Sequence, residues 1–92
     1  MDEFKNVTKE DIIIFQEIFN DLLFRLNVSK SELGRLLGVS RQHIENLAHK
    51  RHPMNKMQCI AINSILKELK GEWYFFYYEF LINQYDEIKM HS

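Results

Sequence analysis

Two helix-starting signals close together constrain this chain more than anything else in it. Ser29-Lys30-Ser31-Glu32 reads as a capping box, in which the serine hydroxyl accepts from the Glu32 amide and the glutamate side chain reaches back. Ser40 supplies a second cap ahead of Arg41. Between them stands Gly38, which takes positive φ without a Cβ clash and so ends a helix. A start, a stop and a second start in so short a span predict two short helices joined by a tight turn. The first covers about Lys30 to Leu37, with Leu33, Leu36 and Leu37 inward. The second covers about Arg41 to His49, with Ile44, Leu47 and Ala48 inward, and Val39 points into the core from the turn.

The rest of the chain supplies helices to pack around this unit. Ile12, Phe15, Ile18, Phe19, Leu22, Leu23 and Leu26 recur at helical spacing and predict a helix over Lys9–Leu26. Thr8 with Asp11 forms its starting cap, and Asn27 is a left-handed stop. Residues 1–7 are polar and expected to be loose. His52-Pro53 breaks the pattern, Asn55 caps a fourth helix ending near Leu69, and Gly71 separates that helix from a last segment over 72–90. In the fourth helix Ile62, Ile65, Leu66 and Leu69 share a side. The expected class is all-α: five helices in one domain spanning 1–92.

Net charge is −1, but its distribution is uneven. Residues 29–58 hold six basic and two acidic side chains, whereas residues 1–28 hold three basic and six acidic, and residues 59–92 three basic and five acidic. A positive middle third between negative flanks fits the electrostatic footprint of a phosphate-binding surface, and on charge alone it also fits ordinary scatter of surface charge. Inside that third, burial of Ile44 and Leu47 leaves Arg41, Gln42, His43, Glu45, Asn46, His49 and Lys50 to face outward. Arginine can bond guanine O6 and N7 together, and glutamine or asparagine can bond adenine N6 and N7 together. The residues alone also fit an ordinary solvated helix face.

The run from Lys30 to Leu47, with Glu32-Leu33, a small residue at 34, Leu37-Gly38-Val39-Ser40 across the turn and Ile44 and Leu47 three apart, resembles the Cro/CI-type helix-turn-helix of the XRE family of phage and bacterial repressors. The likeness covers about 29–50 well and extends over the first and fourth helices. It implies a Cro/CI repressor-like, sequence-specific regulator of transcription in the cytoplasm of a bacterial or phage-infected cell. Its partners would be double-stranded DNA, as an inverted repeat, and a second copy of the chain. By the same likeness Arg41, Gln42, His43 and Asn46 contact bases. Ser29, Lys30, Ser40, Lys50, Arg51 and Lys56 contact phosphates. The chain departs from the pattern at Ala48, where the family often has a glutamate paired with a basic residue of the first helix. It departs again at Lys50, where a glycine often ends the reading helix, and at Gly34, where alanine is usual.

Trp73, Tyr74, Phe75, Phe76, Tyr77, Tyr78, Phe80 and Tyr85 crowd aromatic rings almost all the way round one helix. One inward stripe cannot cover them all. The expectation is that Trp73, Phe76, Tyr77 and Phe80 face the domain. Tyr74, Tyr78, Leu81, Tyr85 and Ile88 then form a dimer interface. The competing functional reading is a protein-interaction module that reuses the fold: an antirepressor, an antitoxin-like partner or a phage inhibitor of a host protein.

Other chemistries find little support. His49, His52 and Cys59 offer three ligands at a spacing that matches no common zinc site, so no metal and no cofactor are expected. No glycine-rich phosphate loop, His-Glu-x-x-His run or nucleophilic triad is present, so no enzymatic activity is expected. Cys59 reads as a small buried hydrophobe, and as the one cysteine it rules out an intrachain disulfide. The run from Trp73 to Ile82 contains Glu79 and is about half of what a membrane-spanning helix needs. No signal peptide is apparent at the start, which predicts an intracellular protein.

Overall fold

The computed structural model describes residues 7–90, and within them the chain is all-helical. The helices are α1 (Lys9–Leu26), α2 (Lys30–Leu37), α3 (Arg41–Ala48), α4 (Lys56–Lys70) and α5 (Glu72–Met90). The expected loose start at residues 1–7 lies, for residues 1–6, outside the described residues. None of the helices described is long and apolar enough to cross a membrane.

Four helices, α1 to α4, begin directly after their capping residues. Thr8 and Asp11 close a complete capping box on α1, the shorter aspartate reaching the Thr8 amide at 3.0 Å. Asn55 and Gln58 close another on α4. Ser29 makes only the forward half of its box, accepting from the Glu32 amide at 3.0 Å, and Ser40 accepts from the His43 amide at 3.1 Å. The ends of α1, α2 and α3 share one device. A left-handed residue (Asn27, Gly38, Lys50) turns the chain so that the next amide donates back to a carbonyl five residues earlier: Val28 to Leu23, Val39 to Gly34 and Arg51 to Asn46. These bonds pair carbonyls that a helix end would otherwise leave open.

α1 runs behind the other helices and packs against α5, α3 and α4, while α2 packs on α3 and α4. Phe15, Phe19, Leu22 and Leu23 of α1 meet Leu33, Ile44, Leu47, Ile62 and Leu66 in one fully buried core. Leu36 and Leu69, expected inward, are substantially exposed, because α2 and α4 are covered on one side only. Leu37 and Val39 pack against the core without being fully buried.

α5 is a helix as expected, but of the four rings expected to face the domain only Tyr77 packs against the core, while Trp73, Phe76 and Phe80 are exposed. Tyr74 and Leu81 are only 4% and 3% exposed, and Tyr78 and Tyr85 pack against the core, whereas Trp73 and Phe76 are 61% and 58% exposed. The proposed interface set of Tyr74, Tyr78, Leu81 and Tyr85 therefore faces the domain. Ile88, the fifth residue expected at that interface, is exposed. The stripe 74/78/81/85 stays apolar or aromatic over three turns, while the stripe through 73, 76 and 80 runs into Asn83, Gln84 and Glu87. The tyrosine hydroxyl also has a place to go: Tyr74 donates to Asn63 Oδ1, and Asn63 Nδ2 donates to the Cys59 carbonyl at 2.8 Å. Burial pushes the Cys59 thiol and the Tyr78 phenol above their ordinary values, and the Asp11 carboxylate adds to both shifts.

Gly34 is where α2 meets the turn. A Cβ there would sit 2.9 Å from the Val39 carbonyl oxygen and 3.2 Å from Ser40 backbone atoms. The turn thus folds directly over a missing side chain. Alanine at position 34 gains helix propensity of about 0.5–1 kcal/mol but crowds backbone that cannot swing away, at about 1–3 kcal/mol. G34A should therefore lower the urea midpoint, with a net loss of about 1–2 kcal/mol. A variant as stable as the parent would show that the turn is not so close.

Candidate nucleic-acid interface

α3 is braced from behind and open in front. Ile44, Leu47 and Ala48 are buried, while Arg41 and Gln42 are exposed and Asn46 is half-buried. The brace comes chiefly from Gln16 on α1, a buried side chain the periodicity did not single out. Its Nε2 donates to the Leu47 carbonyl at 2.9 Å and to the His52 carbonyl at 2.8 Å, and its Oε1 accepts from the Met54 amide at 3.0 Å. One amide thus ties the end of α3 to the segment leading into α4. Its only sequence signal is a polar residue four after Ile12 and three before Phe19, on the inward face of α1.

A second tie lies beside it. Lys50 Nζ bonds Glu17 Oε1 at 2.9 Å, with the two side chains 52% and 37% exposed. An acid on α1 and a base after α3 thus connect the two elements at Lys50, where the sequence departs from the glycine pattern. Lys50 itself adopts φ 60, the left-handed conformation a glycine would take more readily.

On the open side, polar groups are chained together. Gln42 Nε2 donates to Asn46 Oδ1 at 3.1 Å, and Arg51 Nη1 donates to the same oxygen at 3.3 Å. Arg41 lies 3.6 Å from Glu45 Oε1, and His49 lies 3.4 Å from Glu45 Oε2. The Arg41 contact is long and its side chain is mostly exposed. At that length Arg41 makes no hydrogen bond to Glu45 Oε1, which is buried, so its donors remain for another acceptor.

His43 departs from the outward set. It is half-buried, and its Nε2 lies 3.0 Å from Gln58 Nε2. Gln58 Oε1 already accepts from the Asn55 amide, so the Gln58 nitrogen donates and the imidazole Nε2 accepts. Position 43 borders the buried 44/47/48 stripe, which turns the ring toward the start of α4. It does not join Arg41 and Gln42 at the open face.

The phosphate-contact candidates fall into three places. Ser29 and Lys30, at the start of α2, line one open cleft of about 810 Å³ together with Arg41; Asp21 and Glu32 also line it. The Ser29 and Ser40 hydroxyls accept from their own helix ends, and both residues are exposed. Lys50 and Arg51 are exposed at the end of α3, and Lys56 is exposed as the first residue of α4. Among the described residues no three of the His, Cys, Asp and Glu side chains gather in a metal-binding arrangement: His43 turns to Gln58, His49 to Glu45, and Cys59 lies in the core.

Comparison of the chain with protein-family models, with curated proteins and with solved structures finds no match. The reading of this face rests on its own residues.

Two substitutions test the brace. Q16L keeps the volume but strands two carbonyls and an amide, each costing about 1–3 kcal/mol where water cannot reach, so it should lose about 3 kcal/mol or more in urea unfolding. K50G exchanges a left-handed lysine, strained by about 1–2 kcal/mol, for a glycine, at the expense of an exposed ion pair of about 0.2–1 kcal/mol. It should unfold at a higher urea concentration than the parent. A lower midpoint would mean that the Glu17 pair outweighs the strain.

Proposed function

We propose that this chain is a sequence-specific DNA-binding regulator of the Cro/CI helix-turn-helix kind, which inserts α3 into the major groove. The observation that carries the reading is the outer face of α3. A guanidinium and two amides, from the exposed Arg41 and Gln42 and the half-buried Asn46, gather on the outer side of a short helix. Buried contacts from α1 hold that helix from behind. Side chains of these types match the hydrogen-bonding edges of bases, and the start of such a helix enters the groove first. Ser29, Lys30, Lys50 and Arg51 flank the face and serve the phosphates, which supply affinity and register without sequence information. The basic middle third of the chain gives association its salt dependence.

Two copies on an inverted repeat complete the proposal, with reading helices about 34 Å apart along the duplex. Of the rings that α5 leaves exposed, Trp73, Phe75, Phe76 and Phe80, the surface for this pairing is Trp73, Phe76 and Phe80, with Arg25 5.0 Å over the Phe80 ring. The same rings favour the second reading, in which they dock a different protein and α3 touches no DNA. Sedimentation of the parent and of a W73A/F80A variant, alongside a low-salt gel shift, separates the two. A concentration-dependent dimer lost in the variant, with DNA binding by the parent, supports the regulator. A monomer that binds no duplex supports the interaction module.

Base reading is tested directly by R41A and Q42A. Each should cost about 1–3 kcal/mol on the preferred site and leave binding to a scrambled duplex nearly unchanged, as measured by fluorescence anisotropy. Equal losses on both duplexes would reduce these residues to phosphate contacts.

A further inference from the structure

We infer that Arg51 decides which base Asn46 can read, and that the pair beneath Asn46 carries a guanine rather than an adenine; this rests on the DNA-reading proposal above. An asparagine amide pairs with adenine by accepting from N6 and donating to N7. That requires a free amide oxygen. Here Asn46 Oδ1 accepts from both Gln42 Nε2 and Arg51 Nη1, at 3.1 and 3.3 Å. Two donors fill the two lone pairs of an amide oxygen. What Asn46 has left for the groove is its Nδ2 group, which only donates. Guanine offers two acceptors side by side, O6 and N7, whereas adenine sets an amino donor beside its acceptor. A donor-only reader therefore meets a partner in guanine and a repelling donor in adenine.

Gln42 ends in the opposite state. Its Oε1 takes no hydrogen bond among the described residues, and one hydrogen of its Nε2 remains after the bond to Asn46. Acceptor and donor together complement adenine. Two chemically equivalent amides on one helix face thus acquire different preferences from the bonds between them.

The hold of Arg51 on Asn46 is built into the backbone. The chain turns through left-handed Lys50, so that the Arg51 amide donates to the Asn46 carbonyl at 2.8 Å. Main chain and side chain of Arg51 both return to the same residue. A guanidinium has five N–H donors, so one spent on Asn46 leaves others for a phosphate. Arg51 is accordingly a positioning residue as well as a phosphate contact, and the two roles have different signatures. Loss of a phosphate contact weakens every sequence alike; loss of the positioning bond changes the preference at one base pair. Without Arg51, Gln42 fills a single lone pair of Oδ1, and the other opens to adenine N6.

Selection from random duplex DNA with the full chain, its N46A variant and its R51A variant tests this. The pair whose preference collapses in N46A is the one beneath Asn46. The parent should prefer guanine over adenine there by roughly tenfold, the scale of a single well-placed base contact. R51A, exposed and expected to fold like the parent, should lose most of that ratio while keeping the preferences elsewhere at lower overall affinity. Adenine at that pair in the parent, or an R51A motif unchanged at that pair, would overturn the inference and leave DNA reading intact. A parent that enriches no motif even at low salt would overturn the DNA reading and this inference with it.

Discussion

One buried amide organises the working half of this molecule. Gln16 spends both its nitrogen hydrogens and its oxygen on backbone groups of residues 47, 52 and 54. Those groups belong to the end of α3 and to the irregular stretch before α4, where no helix ladder can satisfy them. Buried backbone polar groups must find partners, and a single glutamine provides three. With that stretch fixed, Lys50 holds its left-handed turn, Arg51 is returned over Asn46, and the outer face of α3 acquires a defined set of donors and acceptors. The chain of dependence runs from one core side chain to the hydrogen-bonding pattern of a surface.

The two ends of the molecule are built on different principles. Around α3 the exposed groups are polar, mutually bonded and flanked by cations. Along α5 the exposed groups are rings that stack on each other, Trp73 against Tyr77 and edge-on against Phe76, each pair about 6.0 Å between centroids. Tyr74, whose hydroxyl donates to the buried Asn63, went inside. The phenylalanines and the tryptophan, which have less to gain from the buried Asn63, stayed out. The polar face suits a charged, patterned ligand, and the ring face suits another protein surface.

Much of the fold was legible because the helices announce their ends. Thr8, Ser29, Ser40 and Asn55 are residue types whose side chains satisfy a first-turn amide, and Asn27 and Gly38 are types that tolerate the left-handed region. Four of the five helices, α1 to α4, start one position after these caps, and α5 follows Gly71 instead. Lys50 gave no such sign: nothing in a lysine announces positive φ, and only the Glu17 pair and the bonds of the turn explain it. The inward stripe of α5 is legible only in its length: the run 74/78/81/85 stays apolar or aromatic where the run 73/76/80 passes into Asn83, Gln84 and Glu87. Gln16 and Gln58 were invisible to hydrophobic periodicity, since their importance lies in bonds made across the fold. At the candidate site, the outward positions of Arg41 and Gln42 followed from the burial of Ile44 and Leu47. The turn of His43 toward α4 did not, because a residue at the edge of a stripe is placed by its neighbours.

The central claim is that the face of α3 and its flanks engage duplex DNA. The most direct measurement is a titration of isotopically labelled protein with a short duplex at low salt, followed amide by amide in heteronuclear NMR. The account predicts that the amides of Ser29, Lys30, Ser40 to Asn46, Lys50 and Arg51 shift or broaden together, whether or not those of α5 also move as two copies pair. Perturbations confined to α5, or none anywhere, would contradict it.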